Sequence, residues 1–128
     1  MTGEIGKYVN EKRKGRGKDG TDVLLRDLAQ AMGDISVSYL SDIIKGRRNP
    51  PDIKLLEIMA KVLKLNAEEK AHMFDLAGKE RDEAAPDLPD YIMDDKIPHV
   101  RLALRRAKQK GLGDDFWRAV NESIDGKE

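Results

Sequence analysis

The sequence predicts an all-α protein, with five helices in the first 78 residues followed by an acidic linker and a C-terminal helical hairpin. Apolar residues recur at helical spacing in segments that are separated by glycine, proline and N-cap residues. No segment alternates polar and apolar residues as a half-buried strand does. The 128 residues, 39% of them hydrophobic, suffice for one small domain and an appendage.

The first predicted helix runs from Ile5 to Lys14, with Tyr8 and Val9 on the same face as Ile5. A basic, glycine-rich stretch follows, and glycine at that density predicts a mobile loop rather than a helix. Its cations would gain from counterion release beside nucleic acid, and a solvated loop without a partner is the alternative. The loop's candidate phosphate contacts are Lys14, Arg16 and Lys18.

Two further helices are joined by a short turn at Gly33. Thr21 or Asp22 is the expected N-cap of helix two, Ser36 is that of helix three, and Gly46 ends helix three. Two helices joined by a tight, glycine-containing turn form a helix-turn-helix, whose second helix enters the DNA major groove. Small helical bundles contain similar corners, so this pattern alone leaves other functions open.

Helices four and five complete the predicted N-terminal domain. Asp52 is the expected cap of helix four, whose stripe is centred on Leu56. Asn66 and Glu69 form a capping-box pattern at the start of helix five, which is expected to stop at Gly78. The first 78 residues carry a net charge of +2.

The rest of the chain divides by composition into an acidic linker over residues 79–96 and a helical hairpin over 97–128, after the domain at 1–78. Pro98 is expected to begin helix six, which Gly111 ends, and Asp114 to cap the last helix. The basic face of helix six meets either the acidic linker or DNA. The large aromatics of the hairpin either anchor an interface or close the hairpin itself. The candidate dimer or partner contacts are Val100, Leu104, Phe116 and Trp117.

Three segments resemble the lambda-repressor and Cro family, also called the xenobiotic-response-element family: Leu-Ala-Gln-Ala-Met-Gly at 28–33, Ile-Ser-Val-Ser-Tyr-Leu-Ser at 35–41 and Gly-Arg-Arg-Asn-Pro at 46–50. The similarity covers residues 4–78 and implies a five-helix, lambda-repressor-like DNA-binding domain. Such domains are usually dimeric on a pseudo-palindromic operator and act as transcriptional repressors. This sequence departs from the pattern at Asp34, an extra turn residue, at Leu25, where the family often has glutamine, and in its longer basic loop.

Helix three provides the candidate base contacts, because Leu40 and Ile43 are expected to be buried and the other faces to point outward. Serine can donate or accept at base edges, valine can pack on a thymine methyl, aspartate can accept from cytosine N4, and lysine can reach guanine. Since few of these side chains are bidentate, we expect modest direct recognition and more specificity from DNA shape. The candidates are Val37, Ser38, Ser41, Asp42 and Lys45.

Phosphate contacts are expected around the same helix. Ser36 either caps the helix alone or contacts a phosphate as well, and Tyr39 either packs on helix two or hydrogen-bonds a phosphate. The loop after helix three is the third expected segment, with a solvated surface loop as its alternative. With the basic loop, the candidates are Ser36, Tyr39, Arg47, Arg48, Asn49, Lys14, Arg16 and Lys18.

Composition argues against catalysis, metals and membranes. The chain has no cysteine, its two histidines lie in separate helices, and it has no glycine-rich phosphate loop, so we expect neither an enzyme nor a cofactor. No apolar run approaches a membrane span or a signal peptide, which predicts a cytoplasmic protein of a bacterial cell or a phage-infected host.

The expected function is sequence-specific binding of double-stranded operator DNA by a homodimeric transcriptional repressor. One alternative is an antitoxin or adaptor, whose C-terminal hairpin binds a partner protein while DNA binding serves autoregulation. Another is a helical interaction protein that does not contact DNA.

Overall fold

The computed structural model describes residues 3–127 and confirms the all-α fold class, since no β-strand occurs in that range. The chain divides into two compact units, the first ending at Pro89 and the second beginning at Asp90. Within the described range there are eight α-helices: α1 Glu4–Arg13, α2 Leu25–Ala31, α3 Val37–Ile44, α4 Ile53–Val62, α5 Ala67–Glu80, α6 Pro89–Ile92, α7 Pro98–Gln109 and α8 Asp114–Asp125.

Three of the predicted N-caps are confirmed. The Ser36 hydroxyl accepts a hydrogen bond from the Tyr39 N–H at 3.0 Å, and Asp52 caps α4 in the same way. At α5, the Asn66 side chain accepts from the Glu69 N–H at 2.8 Å while the Glu69 carboxylate accepts from the Asn66 N–H at 3.0 Å. These bonds satisfy N–H groups that a helix leaves without partners in its first turn.

The predicted caps at the other two helices are wrong. Helix α2 begins at Leu25, beyond both Thr21 and Asp22, and its N-cap position makes no side-chain bond. The Asp22 carboxylate instead accepts the Gly15 N–H at 2.9 Å, which commits it to the preceding loop. Asp114 is the first residue inside α8 rather than its cap. Its charge still lies in the first turn, where a carboxylate is favourable.

The basic loop between α1 and α2 is hydrogen-bonded across its ends. Arg13 donates its Nε to the Val23 carbonyl at 2.7 Å and accepts the Val23 N–H on its own carbonyl at 2.8 Å. The Gly17 N–H bonds the Thr21 carbonyl at 2.6 Å, around a 3-10 turn at Lys18–Gly20. The glycines therefore allow a compact loop conformation rather than a helix.

Helix α5 continues past the glycine at which it was expected to stop. Gly78 lies inside the helix, and a Cβ at this position would come within 2.7 Å of the Ala84 carbonyl carbon. Glycine is needed here because the chain after α5 folds back against the helix. Ala85 is buried in the core of the first unit, so part of the expected linker packs on the domain.

The core of the first unit is formed by apolar side chains from α1 to α5. Helix α1 packs on α3 and α5, and α2 packs on α3 and α4. Helices α1 and α3 come close together at Gly6, where a Cβ would lie 1.8 Å from the Ile44 carbonyl oxygen. The largest fully buried apolar side chains are Phe74, Ile5, Leu28, Met32, Leu40, Leu56, Met59, Leu63, Met73 and Val9.

The second unit has little core of its own. Within its described residues, Ala107 is the one buried hydrophobic side chain. Helices α7 and α8 follow each other as expected, with Pro98 in the first turn of α7 and Gly111 at φ 67° after it, but they make few close contacts with each other. Leu104 and Phe116 are 40% and 41% exposed. Among residues 3–127, no helix has the length and apolar character needed to cross a bilayer.

Candidate nucleic-acid interface

Helix α3 has one buried face and one solvent-facing ridge. Its three buried side chains, Leu40, Ile43 and Ile44, fix the helix against the rest of the first unit. The predicted base contacts lie on the remaining faces: Ser38 and Lys45 are exposed. The other three are Val37, which is 45% exposed, and the half-buried Ser41 and Asp42.

The turn before α3 contains the extra residue noted in the sequence. Gly33 has φ 98° and Asp34 has φ 58°, so two successive residues adopt left-handed conformations. The Ile35 N–H then bonds the Ala29 carbonyl at 3.2 Å, which ties the longer turn back onto α2. The added residue is therefore absorbed inside the turn, and Ser36 still caps α3.

Lys14 lies beside one flank of α3. An open hollow of about 450 Å³ is lined by Lys14 and Leu25 together with Ser41 and Lys45 of α3. Leu25, at the position where the resemblance leads us to expect glutamine, is half-buried. The hydrogen-bonded loop thus brings a lysine next to Leu25.

Arg47 and Arg48 lie at the other flank of α3, close to Asp42. The Asp42 carboxylate is 3.6 Å from Arg47 Nη1 and 3.9 Å from Arg48 Nε. The Arg48 guanidinium also lies over the Tyr39 ring, 4.7 Å from its centroid, a cation–π arrangement. Tyr39 therefore contacts the arginine, and the Asp42 side chain is turned toward two cations.

The loop that carries these arginines is anchored from both ends. The Arg47 N–H bonds the Asp42 carbonyl at 2.9 Å, and Gly46 takes φ 78° to allow this tight end of α3. Pro50 is buried, and its carbonyl accepts a hydrogen bond from the Arg81 side chain after α5. Exposed Asn49 lies between these two anchors.

Arg16 is occupied by an intramolecular ion pair. Its guanidinium makes two bonds to the Glu69 carboxylate, Nη1 to Oε1 at 3.1 Å and Nη2 to Oε2 at 2.7 Å, and Nη1 also donates to the Leu63 carbonyl at 3.2 Å. Lys12 Nζ is 3.0 Å from Glu69 Oε2. This arrangement argues against the predicted phosphate contact of Arg16, because binding a phosphate would break a bidentate pair.

Three pKa values are shifted in and around this ion pair. Hydrogen bonds from Arg16 hold the pKa of the Glu69 carboxyl far below its usual range, and the same carboxylate raises the pKa of Arg16. Burial raises the pKa of the Tyr8 hydroxyl, which donates to the Glu69 carbonyl at 3.1 Å. Sequence reasoning missed this network. The capping-box pattern pointed to Glu69, but nothing in the sequence connects it with a loop 53 residues away.

We define the α3 surface as the outward ridge of α3 together with the cations on its two flanks. Its charged side chains are four cations and one carboxylate, so it is net positive. Lys18 lies apart, in a second hollow shared with Lys64. In residues 3–127, no cluster of three or more histidine, aspartate or glutamate side chains could hold a metal ion. The α3 surface consists of Val37, Ser38, Ser41, Asp42, Lys45, Lys14, Arg47 and Arg48.

A comparison with known protein families matches the part of the chain that contains α2 and α3. The helix-turn-helix family matches residues 20–70, a range that contains α2, the turn, α3 and α4 and ends within α5. No curated protein and no solved structure matches the chain. The family is one of DNA-binding regulatory domains and not of enzymes. Residues 20–70 are thus similar to a helix-turn-helix domain of the lambda-repressor and Cro type, which supports a role as a DNA-binding transcriptional regulator.

Proposed function

We propose that the protein is a repressor that binds operator DNA as a homodimer, with α3 in the major groove. The observation that carries this proposal is the layout of the α3 surface, a polar ridge with cations on both flanks. A major groove roughly 12 Å wide admits one helix and is bordered by phosphates on either side. A ridge of this kind can place hydroxyls and a lysine at base edges while the flanking cations meet the two strands.

The proposed base contacts are Ser38, Ser41 and Lys45, with Val37 available to a thymine methyl. Lys45 alone among them can bond two acceptors of a guanine, so direct discrimination between base pairs is modest. A single domain would therefore bind weakly, and specificity would depend on DNA shape and on a second half-site. This argument supports a dimer on a site with two-fold symmetry.

The proposed phosphate contacts are Lys14 on one flank of α3 and Arg47, Arg48 and Asn49 on the other. Both arginines are well exposed, with 69% and 55% of their side-chain area accessible. Tyr39 holds the Arg48 guanidinium over its ring. Ser36 contributes chiefly as a helix cap, since its hydroxyl already accepts the Tyr39 N–H. Lys18 remains a peripheral candidate.

The second unit supplies the proposed dimer contacts. The candidates lie on α7 and α8, where Leu104 and Phe116 are 40% and 41% exposed and Val100 and Trp117 are half-buried. The helices are oppositely charged, because α7 carries four basic and no acidic side chains, whereas α8 carries four acidic side chains and one arginine. Two copies could pair α7 of one with α8 of the other in a symmetric, self-complementary contact.

The same exposed face supports a second candidate function, that of an antitoxin or adaptor. Apolar side chains that a unit cannot bury itself are typical of a protein-binding surface. In that case the second unit would bind a different protein, and the first unit would regulate transcription of its own gene. The two candidates differ in whether the purified chain is a dimer.

Replacing both arginines tests the proposed orientation of DNA. Arg47→Ala with Arg48→Ala should weaken binding to all duplex sequences alike and reduce the salt slope of log K by about one to two units, because sequence-independent phosphate contacts are lost. Fluorescence anisotropy at several salt concentrations measures both quantities. Lys61→Ala with Lys79→Ala is the matched control, since it removes two exposed charges from α4 and α5. A salt slope equal to that of the control would refute the proposed phosphate contacts.

A further inference from the structure

We propose that Asp42 lowers sequence-independent DNA binding by competing with phosphate groups for Arg47 and Arg48. The proposal rests on the proposed function of the α3 surface and gives Asp42 a different role from the base contact that the sequence suggested. In this role Asp42 lowers the affinity for DNA of any sequence by acting on Arg47 and Arg48.

The geometry places the carboxylate between α3 and the loop that follows it. Asp42 lies in the last turn of α3, and the tight helix end returns the chain so that the Arg47 N–H bonds the Asp42 carbonyl at 2.9 Å. Each carboxylate oxygen then faces a different arginine, Oδ1 toward Arg47 Nη1 at 3.6 Å and Oδ2 toward Arg48 Nε at 3.9 Å. One carboxylate is thus shared by the two strongest phosphate-binding candidates.

These ion pairs are loose enough to be exchanged. Their distances are longer than those of a charge-assisted hydrogen bond, and both arginine side chains are more than half exposed to solvent. Exposed pairs of this kind contribute a small free energy each. A DNA phosphate can therefore displace the carboxylate, but displacement reduces the net gain from each arginine contact.

The carboxylate also opposes DNA directly. Once the arginines turn to phosphates, Asp42 keeps a negative charge close to the polyanion, at the edge of the groove. This repulsion lowers the affinity for every duplex sequence, except where a cytosine amino group can donate to the carboxylate. Because competing genomic sites vastly outnumber operators, a lower sequence-independent affinity reduces the fraction of protein held away from its target.

The experiment compares the full-length protein with Asp42→Asn, an isosteric change that removes the charge. Anisotropy titrations use a random-sequence duplex pool at about 50 mM salt and at higher salt. The exposed Asp75 on α5 provides the control Asp75→Asn, which changes the formal net charge equally outside the α3 surface. The same substitution at Asp42 is repeated in the Arg47→Ala, Arg48→Ala protein.

We expect Asp42→Asn to tighten binding about fivefold at low salt, with a smaller gain at high salt because exposed charges are screened. Asp75→Asn should change affinity by less than about twofold, and Asp42→Asn in the protein without the two arginines should keep only the smaller part of the gain that comes from direct repulsion. An Asp42→Asn affinity equal to that of Asp75→Asn, or a gain of full size without the arginines, would overturn the role of Asp42 while leaving DNA binding intact. Failure of the wild-type protein and every variant to bind duplex DNA would overturn the proposed function as well.

Discussion

Glu69 connects two parts of the first unit that lie far apart in sequence. Its carboxylate accepts the Asn66 N–H at the start of α5. It also binds Lys12 at the end of α1 and Arg16 in the loop that follows. The loop that presents Lys14 to α3 is therefore attached to α5 through a single carboxylate. Since hydrogen bonds lower the pKa of that carboxylate in the folded protein, its contribution to stability depends on pH.

Glu69→Gln should lower the free energy of unfolding at neutral pH, and its difference from wild type should shrink as pH falls below about 4.3, the usual pKa of glutamate. The folded-state pKa is depressed, so the stabilisation is present above the unfolded-state pKa and is lost as the carboxylate becomes protonated. Urea unfolding between about pH 7 and pH 3 measures the difference. The neighbouring exposed Glu68→Gln is the control. A difference that does not vary with pH would contradict this account.

Side-chain roles were predictable from sequence where the partner is local. Ser36, Asp52 and Asn66 each cap an N–H three residues away, so the residue and its position suffice. Asp22 was misassigned because its partner is the Gly15 N–H, a choice determined by the fold of the loop. The ion pair of Arg16 with Glu69 could not be predicted for the same reason at longer range, since sequence pattern does not encode a contact with α5.

Helices were predicted more accurately than the distances between them. Apolar spacing identified all five helices of the first unit, but it could not show which glycines allow close packing. The sequence suggested that Gly78 ends a helix, but Gly78 lies inside α5 and lets the chain at Ala84 pack closely against it. Gly6 carries no signal beyond its position in α1, yet it sets the approach of α1 to the C-terminal end of α3 at Ile44.

Gly6→Ala should destabilise the first unit by about 3 kcal/mol or more, because the added methyl would overlap the backbone of α3 and the helices would have to separate. Urea unfolding followed by circular dichroism measures the change. Gly113→Ala is the control, since a Cβ there meets no atom within 4 Å. Equal stability of the two variants would show that α1 and α3 are not held at this distance.

At the scale of the whole molecule, the two units differ in how well they bury their own apolar surface. The first has a core built from five helices, whereas the second leaves Leu102, Leu104, Leu112, Phe116 and Ile124 at least 40% exposed. Sequence composition predicted that the first domain is followed by an acidic linker and a separate helical hairpin. It could not predict that α7 and α8 would pack so little on each other, because amphipathic spacing does not specify which partner covers a face.

Leu104→Asp should convert the proposed dimer to a monomer of 14.4 kDa, because a buried unpaired charge is costly at an apolar interface. Leu102→Asp, two residues earlier and on the opposite side of α7, should leave the dimer intact. Light scattering of the full-length proteins gives the masses. A wild-type monomer would remove the dimer proposal and favour a different protein as the partner of the second unit.

The central claim is that DNA contacts the α3 surface, and amide chemical shifts test it most directly. Titrating the ¹⁵N-labelled full-length protein with a duplex pool should shift the amides of residues 36–49 and of Lys14 most strongly, with smaller changes in α5 and α8. Shifts confined to residues 90–127, or spread evenly over the first unit without a maximum at α3, would contradict it.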